Sequence, residues 1–291
     1  GLLVCEPGPE EEYLSRRAAD LLHVDDPARL ALLGRLSSLL RSAESPSAHE
    51  QALLQMLAYQ IDGRHEQRGD PSSFLQRLAS HSPVAEELAE LGGWLEASSH
   101  FPVTPLPGLN DTPLVLHARY GIREILTAVG WLTAERRTPF QAGVLALPLR
   151  KTELLFVTLD KSEGYHDRIA YRDYAISTER FHWQSQNSAG PDTPAGRRYL
   201  ESPANGWSFQ LFVRERKAEP YRACGPVVME EAAGSRPMNI TWRMSVPLPA
   251  RLFRDFSVLW HVITAGGSAL RTSGLLIAKA AMILYRHNVV F

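Results

Sequence analysis

The sequence predicts an α+β protein in which an N-terminal helical bundle precedes a mostly β domain. Apolar residues up to about residue 98 recur every three or four positions, which is the period of an amphipathic helix. Later segments are short, apolar or alternating, and turn residues separate them. The chain has 291 residues, 44% of them hydrophobic, and exceeds the usual length of one domain, so we expect two domains.

The first part of the chain carries the start signals of several helices. Asp26-Pro27 offers an N-cap and a first-turn proline, and Ser45-Pro46-Ser47 starts a further helix. Leucines between residues 30 and 40 form an apolar stripe. The proline-rich segment 101–111 cannot continue a helix and reads as a linker. We therefore predict a helical connector or bundle over residues 1–105.

The rest of the chain predicts one short helix, at residues 121–129, and a β-sheet. Residues 153–157 are apolar almost throughout, as in a central strand, whereas Ile240, Trp242 and Met244 alternate with polar residues. The predicted extended segments are 144–147, 153–159, 207–214, 222–229 and 238–246. We predict a β-rich domain, either a barrel or an α+β sheet, over residues 106–260, and a C-terminal extension over residues 261–291.

The composition excludes several classes of protein. Two cysteines, Cys5 and Cys224, cannot build a disulfide scaffold or a four-thiolate zinc site, and they fit a reducing cytoplasm. The apolar run at residues 274–285 is too short to span a bilayer, so we expect no membrane association. The chain starts at Gly1 without a leader, and we interpret it as a piece of a longer protein.

The net charge of -1 conceals an uneven distribution of charge. Residues 1–100 hold 16 acidic and 8 basic residues, whereas residues 101–291 hold 16 acidic and 23 basic ones. A polyanion such as DNA is therefore expected to bind the second part of the chain.

The short motifs of most catalytic classes are absent from the sequence. No glycine-rich phosphate loop precedes a lysine, and no His-Glu-x-x-His, Cys-x-x-Cys or Gly-x-Ser-x-Gly pattern occurs. We therefore expect a non-catalytic fragment without cofactor or metal. One alternative stays open, a metal-dependent DNA endonuclease using Asp192, Glu215 and Lys217, although Asp192 lies in a sequence typical of a turn.

Between residues 165 and 186 aromatic side chains occur beside hydrogen-bonding ones. A flipped base needs both, because its faces stack on aromatic rings and its edge needs donors and acceptors. We predict base contacts from Tyr165, Asp173, Tyr174, Phe181, His182, Trp183, Gln184 and Gln186. Nearby cations predict contacts to the DNA backbone from Arg119, Lys161, Arg168, Arg172, Arg180, Arg197, Arg198 and Arg214.

The alternative is an assembly domain whose aromatic cluster is hydrophobic core. Strand alternation would place Phe181 and Trp183 on one face, and His182 and Gln184 on the other. Half of the cluster would then be structural while the other half contacts the ligand.

Several motifs follow one another in unbroken order within about residues 114–256, including Leu116-His117-Ala118-Arg119-Tyr120, Tyr171-Arg172-Asp173-Tyr174-Ala175-Ile176-Ser177 and Phe181-His182-Trp183-Gln184-Ser185-Gln186. These motifs resemble a bacterial domain-of-unknown-function family. That family lies at the C-terminus of DEAD/DEAH-type helicases, often behind a phospholipase D-like nuclease, including the SauUSI-type restriction enzymes that cut DNA with modified cytosine.

The resemblance implies a PUA/SRA-like barrel that flips 5-methyl- or 5-hydroxymethylcytosine out of duplex DNA into an aromatic pocket. It also implies partners, namely the helicase and nuclease domains of a longer chain, and a homodimer is a further candidate assembly. The chain departs from the family at residues 164–170, where a Ser/Pro/Thr-rich stretch is usual. This departure bears on which modification is recognised.

Overall fold

The computed structural model describes residues 8–42, 45–62, 70–99, 103–133, 135–136, 140, 142–159 and 173–257. Some predictions lie outside these residues. They concern Tyr165, Lys161, Arg168, Arg172 and the extension 261–291.

Five helices form the first part of the described chain: α1 (Pro9–Ala18), α2 (Pro27–Arg41), α3 (Ala48–Ile61), α4 (Pro71–Ala79) and α5 (Ser82–Ser98). The predicted start signals of α2 and α3 are confirmed. The Asp26 carboxylate accepts a hydrogen bond from the Arg29 amide, and Ser47 forms a capping box with Glu50. The helical pattern of residues 10–98 is therefore locally specified by caps and by an apolar stripe.

The second part forms an eight-stranded mixed sheet. Its strands are β1 (Arg119–Tyr120), β2 (Val144–Leu147), β3 (Thr152–Thr158), β4 (Tyr174–Ala175), β5 (Arg180–Gln184), β6 (Ser208–Arg214), β7 (Tyr221–Ala233) and β8 (Asn239–Met244). Three short helices accompany them: α6 (Ile122–Ala128), α7 (Pro194–Leu200) and α8 (Ala250–Phe256). The five extended segments and the helix that the sequence predicts are confirmed, and their ends differ from the observed ones by at most four residues.

The sheet is open. Its strands follow the order β2-β3-β6-β7-β8-β5-β4, and β1 pairs with β7 off this path. All pairings are antiparallel except β3 with β6, which is parallel. The α+β class is confirmed, but a closed PUA/SRA-like barrel is not supported. Among the described residues the end strands β2 and β4 do not pair, and β4 has two residues.

Two hydrophobic clusters cover the faces of this sheet. On β3, Leu154 and Phe156 belong to the cluster that also contains the cores of the first five helices, whereas Leu155 and Val157 belong to the cluster on the other side. The prediction of a central strand at residues 153–157 is confirmed by this burial on both faces. Within the predicted linker, Leu106 and Leu109 are fully buried in the first cluster.

None of the helices in the described ranges combines the length and apolar character that crossing a bilayer requires.

Candidate functional site

Strand β5 carries four of the predicted base contacts on alternating faces. Phe181 and Trp183 are buried, whereas His182 and Gln184 are half-buried. The predicted alternation of this strand is confirmed. The two buried rings belong to the cluster on the α7 side of the sheet, where the Trp183 ring meets the Tyr199 ring edge-on at 5.5 Å.

A polar cavity of about 310 Å³ lies at the end of β5. This volume is at the lower end of the range that ligand pockets occupy, about 300–1,000 Å³. Residues from near both ends of the sheet path border it, so the open sheet curves around the cavity. The lining residues are Ala142, Gly143, Val144, Phe156, Thr158, Asp173, Trp183, Gln184, Ser185, Gln186, Arg214 and Tyr221.

Four predicted base contacts therefore border one cavity: Asp173, Trp183, Gln184 and Gln186. A chain of hydrogen bonds holds two of them. Asp173 Oδ1 accepts the backbone N–H of Gln184 at 2.8 Å, and Gln184 Nε2 donates to Asn239 Oδ1 at 2.8 Å. Asp173 is 4% exposed, so this carboxylate needs such donors. These bonds orient the Gln184 amide at the cavity wall.

The lining also includes a cation above an aromatic ring. Arg214, a predicted backbone contact, donates from Nε to Thr158 Oγ1 at 2.9 Å, and its guanidinium lies 4.3 Å from the centre of the Tyr221 ring. Burial raises the pKa of Tyr221, so its phenol stays neutral and keeps its proton. The cavity thus offers a fixed cation, a phenol, two amide side chains and a carboxylate to a flat polar ligand.

The other predicted base contacts lie elsewhere. Phe181 is fully buried in the core. Tyr174 and His182 are cross-strand partners whose rings stack on each other at 5.1 Å and 18°. Neither ring lines the cavity. The structure therefore separates a cavity group, at residues 173 and 183–186, from a stacked outer pair.

Most of the predicted backbone cations in the described residues are engaged by acids. Arg180 makes two hydrogen bonds of 2.8 Å to Glu230. Arg198 donates to the fully buried Glu153 at 2.8 Å. Arg119 lies 3.4 Å from Asp25, whereas Arg197 is exposed on α7.

The three residues of the nuclease alternative fall in different surroundings. Asp192 lies in the turn before α7 and pairs with Arg236, both side chains being more than half exposed. Glu215 follows β6 and borders a second cavity that Asp192 does not line, and Lys217 is exposed. In the part of the chain that the structure describes, no three His, Cys, Asp or Glu side chains are grouped to hold a metal ion.

This second cavity has a volume of about 260 Å³ and is bordered by four arginines, Arg119, Arg214, Arg222 and Arg251. The sequence reasoning missed Arg222 and Arg251. Neither position stands in a motif, and they meet only because β1 pairs with β7 and α8 packs beside the sheet.

The comparisons with known proteins locate both cavities within one family segment. No curated protein matches the chain. All eight strands and the lining residues of both cavities lie between residues 119 and 256. Residues 114–256, just under half of the chain, match the family described as Domain of unknown function (DUF3427).

Proposed function

We propose that the chain is a non-catalytic DNA-binding module that holds one extruded base in the polar cavity at the end of β5. The observation that carries the proposal is the convergence of Asp173, Trp183, Gln184 and Gln186 on one cavity that also contains Arg214. Asp173 and Arg214 are 41 positions apart in the sequence, so proximity along the chain does not explain why they line the same cavity.

The chemistry of the walls suits a nucleobase. A base presents ring nitrogens, carbonyl oxygens and exocyclic amines along its edge and a flat apolar face, and proteins bind it through amides, carboxylates and aromatic rings. The Asp173 carboxylate and the Gln184 and Gln186 amides supply edge partners. Phe156, Trp183 and Tyr221 contribute aromatic carbon to the lining, although each residue is only 4–6% exposed. Arg214 donates a hydrogen bond to Thr158 and adds a charged donor to the same cavity.

The finer proposal concerns the mark that is recognised. The resemblance to SauUSI-type restriction proteins suggests 5-methyl- or 5-hydroxymethylcytosine in duplex DNA, with the helicase and nuclease domains of a longer bacterial chain as partners. Val144 and Phe156 give the cavity an apolar side that suits a methyl group. One such group in an apolar pocket discriminates by about 1–3 kcal/mol, so a preference of tens- to a few hundred-fold is expected.

The test uses the chain with one duplex in three forms, unmodified, 5-methylated and 5-hydroxymethylated, carrying 2-aminopurine beside the cytosine. We expect tighter binding to a modified form and a rise in fluorescence as the base leaves the stack. Gln186→Ala removes an amide from the cavity wall, and the loss of a hydrogen bond of about 1 kcal/mol should weaken the preferred complex about fivefold.

Asn187→Ala is the matched control, since Asn187 is exposed on the same turn and does not line the cavity. Equal affinity for all three duplexes, together with unchanged 2-aminopurine fluorescence, would contradict the proposal. Magnesium-dependent cleavage that disappears in Asp192→Ala would instead favour the nuclease alternative.

A further inference from the structure

The second cavity collects arginines from four segments of the fold. Arg119 lies on β1, Arg214 ends β6, Arg222 lies on β7 and Arg251 lies in the first turn of α8. Three carboxylates, of Glu215, Glu219 and Asp255, also border the cavity. The distribution of these charges within the cavity decides what it binds.

Two of the arginines share a single acid. Arg119 and Arg222 are direct partners across β1 and β7, a position at which like charges repel. Asp25 Oδ2 lies 2.7 Å from the Arg222 guanidinium and 3.4 Å from Arg119 Nε. The single negative charge of Asp25 is therefore shared between two positively charged guanidiniums. Among the described residues, Arg119 Nε is buried and has no hydrogen-bond partner.

The Arg222 side chain is only 11% exposed, and the charges around it act on the pKa of its guanidinium. Burial lowers the pKa of Arg222 to about 10, Asp25 acts in the opposite direction, and Arg119 and Arg251 lower the pKa further. Two cations and one acid therefore surround a guanidinium that is itself still charged at neutral pH. Glu219 is 40% exposed and lies 3.9 Å from Arg216.

The two cavities are neighbours, because Arg214 borders both of them. The phosphates of a nucleotide are bonded to its sugar, so with a base in the first cavity we expect a phosphate of the same strand to approach the second. Guanidiniums are the side chains best suited to phosphate oxygens, since they donate paired hydrogen bonds in a planar fork.

We propose that Arg119, Arg222 and Arg251 bind the DNA phosphate that adjoins the extruded nucleotide, so that base and phosphate occupy neighbouring cavities. This inference rests on the proposed function for its ligand. The phosphate relieves the repulsion among the three guanidiniums and accepts hydrogen bonds from exposed Arg251 and from the exposed part of the Arg119 side chain, which is 39% exposed. The second cavity thereby anchors the strand and presents its nucleotide to the first.

The test variant is Arg251→Gln, because Arg251 is exposed on α8, whereas Arg222 also donates to Asp25 and to the His117 carbonyl and supports the fold. Arg254→Gln is the matched control. It removes the same charge from the same short helix at a position that does not line the cavity.

The first measurement uses inorganic phosphate as the probe. We expect phosphate to raise the melting temperature of the wild-type chain and of Arg254→Gln above their values in chloride of equal ionic strength, as a ligand of the folded state does. The rise should be smaller for Arg251→Gln. The second measurement is the salt dependence of duplex binding, in which Arg251→Gln should reduce the slope of log affinity against log salt by about 0.9, whereas Arg254→Gln leaves it unchanged.

The two proposals fail separately. A selective phosphate effect at Arg251 without any duplex binding supports the anion site and removes the proposed function. A second outcome is that a base is extruded, phosphate has no effect on the melting temperature, and Arg251→Gln has the same salt slope as wild type. This outcome contradicts the anion site and is compatible with the proposed function. Equal losses in both variants mean general surface attraction and also overturn the anion site.

Discussion

At the scale of single residues, the clearest outcome concerns two adjacent arginines that the sequence treats alike. Arg197 is exposed, whereas Arg198 holds the buried carboxylate of Glu153 together with the hydroxyl of Tyr199, which donates to Glu153 at 2.8 Å. Burial and the nearby carboxylate raise the pKa of Tyr199, so its hydroxyl remains a donor. The Arg198 guanidinium also lies 4.8 Å from the centre of the Trp207 ring. Arg198 therefore has a structural role whether or not DNA binds.

Replacing Arg198 with Ala should destabilise the protein by about 3 kcal/mol, because it leaves the Glu153 charge buried with one fewer partner. Replacing Arg197 with Ala should change the free energy of unfolding by less than about 0.5 kcal/mol, as is usual at exposed sites. Urea denaturation measures both. The double variant Arg198→Ala with Glu153→Gln should recover part of the loss, and strict additivity of the two changes would contradict this account.

At the scale of elements, β5 divides the predicted base contacts between its two faces. The inward residues Phe181 and Trp183 pack in the core and the second of them also reaches the cavity. The stacked pair of Tyr174 and His182 ties β4 to β5 at the end of the sheet. The cavity group gathers at the C-terminal end of β5. Trp183 and Gln184 are the last two residues of the strand, Ser185 and Gln186 follow it, and Asp173 joins them from just before β4.

The two-face arrangement predicts different effects for neighbouring substitutions. Alanine at His182 should lower stability by about 1 kcal/mol, the value of an aromatic pair, and should leave the ratio of affinities for modified and unmodified duplex unchanged. Alanine at Phe181 should cost about 3–5 kcal/mol because it opens a cavity in the core. Thermal unfolding and duplex titration of each variant give the two quantities. If His182→Ala loses the preference for modified duplex, this prediction is wrong and the outer face of β5 contacts the DNA.

At the scale of the whole molecule, a buried polar network joins the helical part of the chain to the sheet. Glu124 of α6 is 1% exposed and accepts a hydrogen bond of 2.6 Å from Arg29 of α2, while His23 Nε2 lies 2.6 Å from its other oxygen. Arg29 also pairs with Asp26 and donates to the Arg119 carbonyl. One hydrophobic cluster runs alongside, from the first helices to Phe212 and Tyr221.

This network predicts acid sensitivity. Burial alone would raise the pKa of Glu124, but Arg29 and His23 outweigh it and hold the pKa at about 2, below the ordinary value of 4.5. A carboxyl whose pKa is lower in the folded state adds stability above its unfolded pKa and loses it as the pH falls through the folded one. The free energy of unfolding should therefore fall between about pH 5 and pH 2.

Glu124→Gln provides the control, because the amide cannot titrate. Its free energy of unfolding should be lower than that of wild type at neutral pH, and it should vary less with pH across that range. Urea midpoints measured from pH 7 to pH 2 test this. Parallel pH profiles for the two proteins would show that Glu124 does not carry the acid response.

The sequence by itself determined the local structure and the class of fold. Asp26 and Ser47 begin their helices through side chain to backbone bonds over three residues, and a two-residue period placed Phe181 and Trp183 inward. These features depend on neighbours in the chain, so they are readable without a structure.

The tertiary structure alone decided the open sheet, the parallel pairing of β3 with β6 and the membership of the two cavities. Asp25 meets Arg222 across 197 positions of sequence, and Gln184 meets Asn239 across 55. Hydrophobic burial fixes which strands become neighbours, and it is non-directional, so no local pattern encodes which distant polar side chains it brings together. For that reason, composition could suggest a polyanion, whereas only the packed sheet shows which arginines border the second cavity.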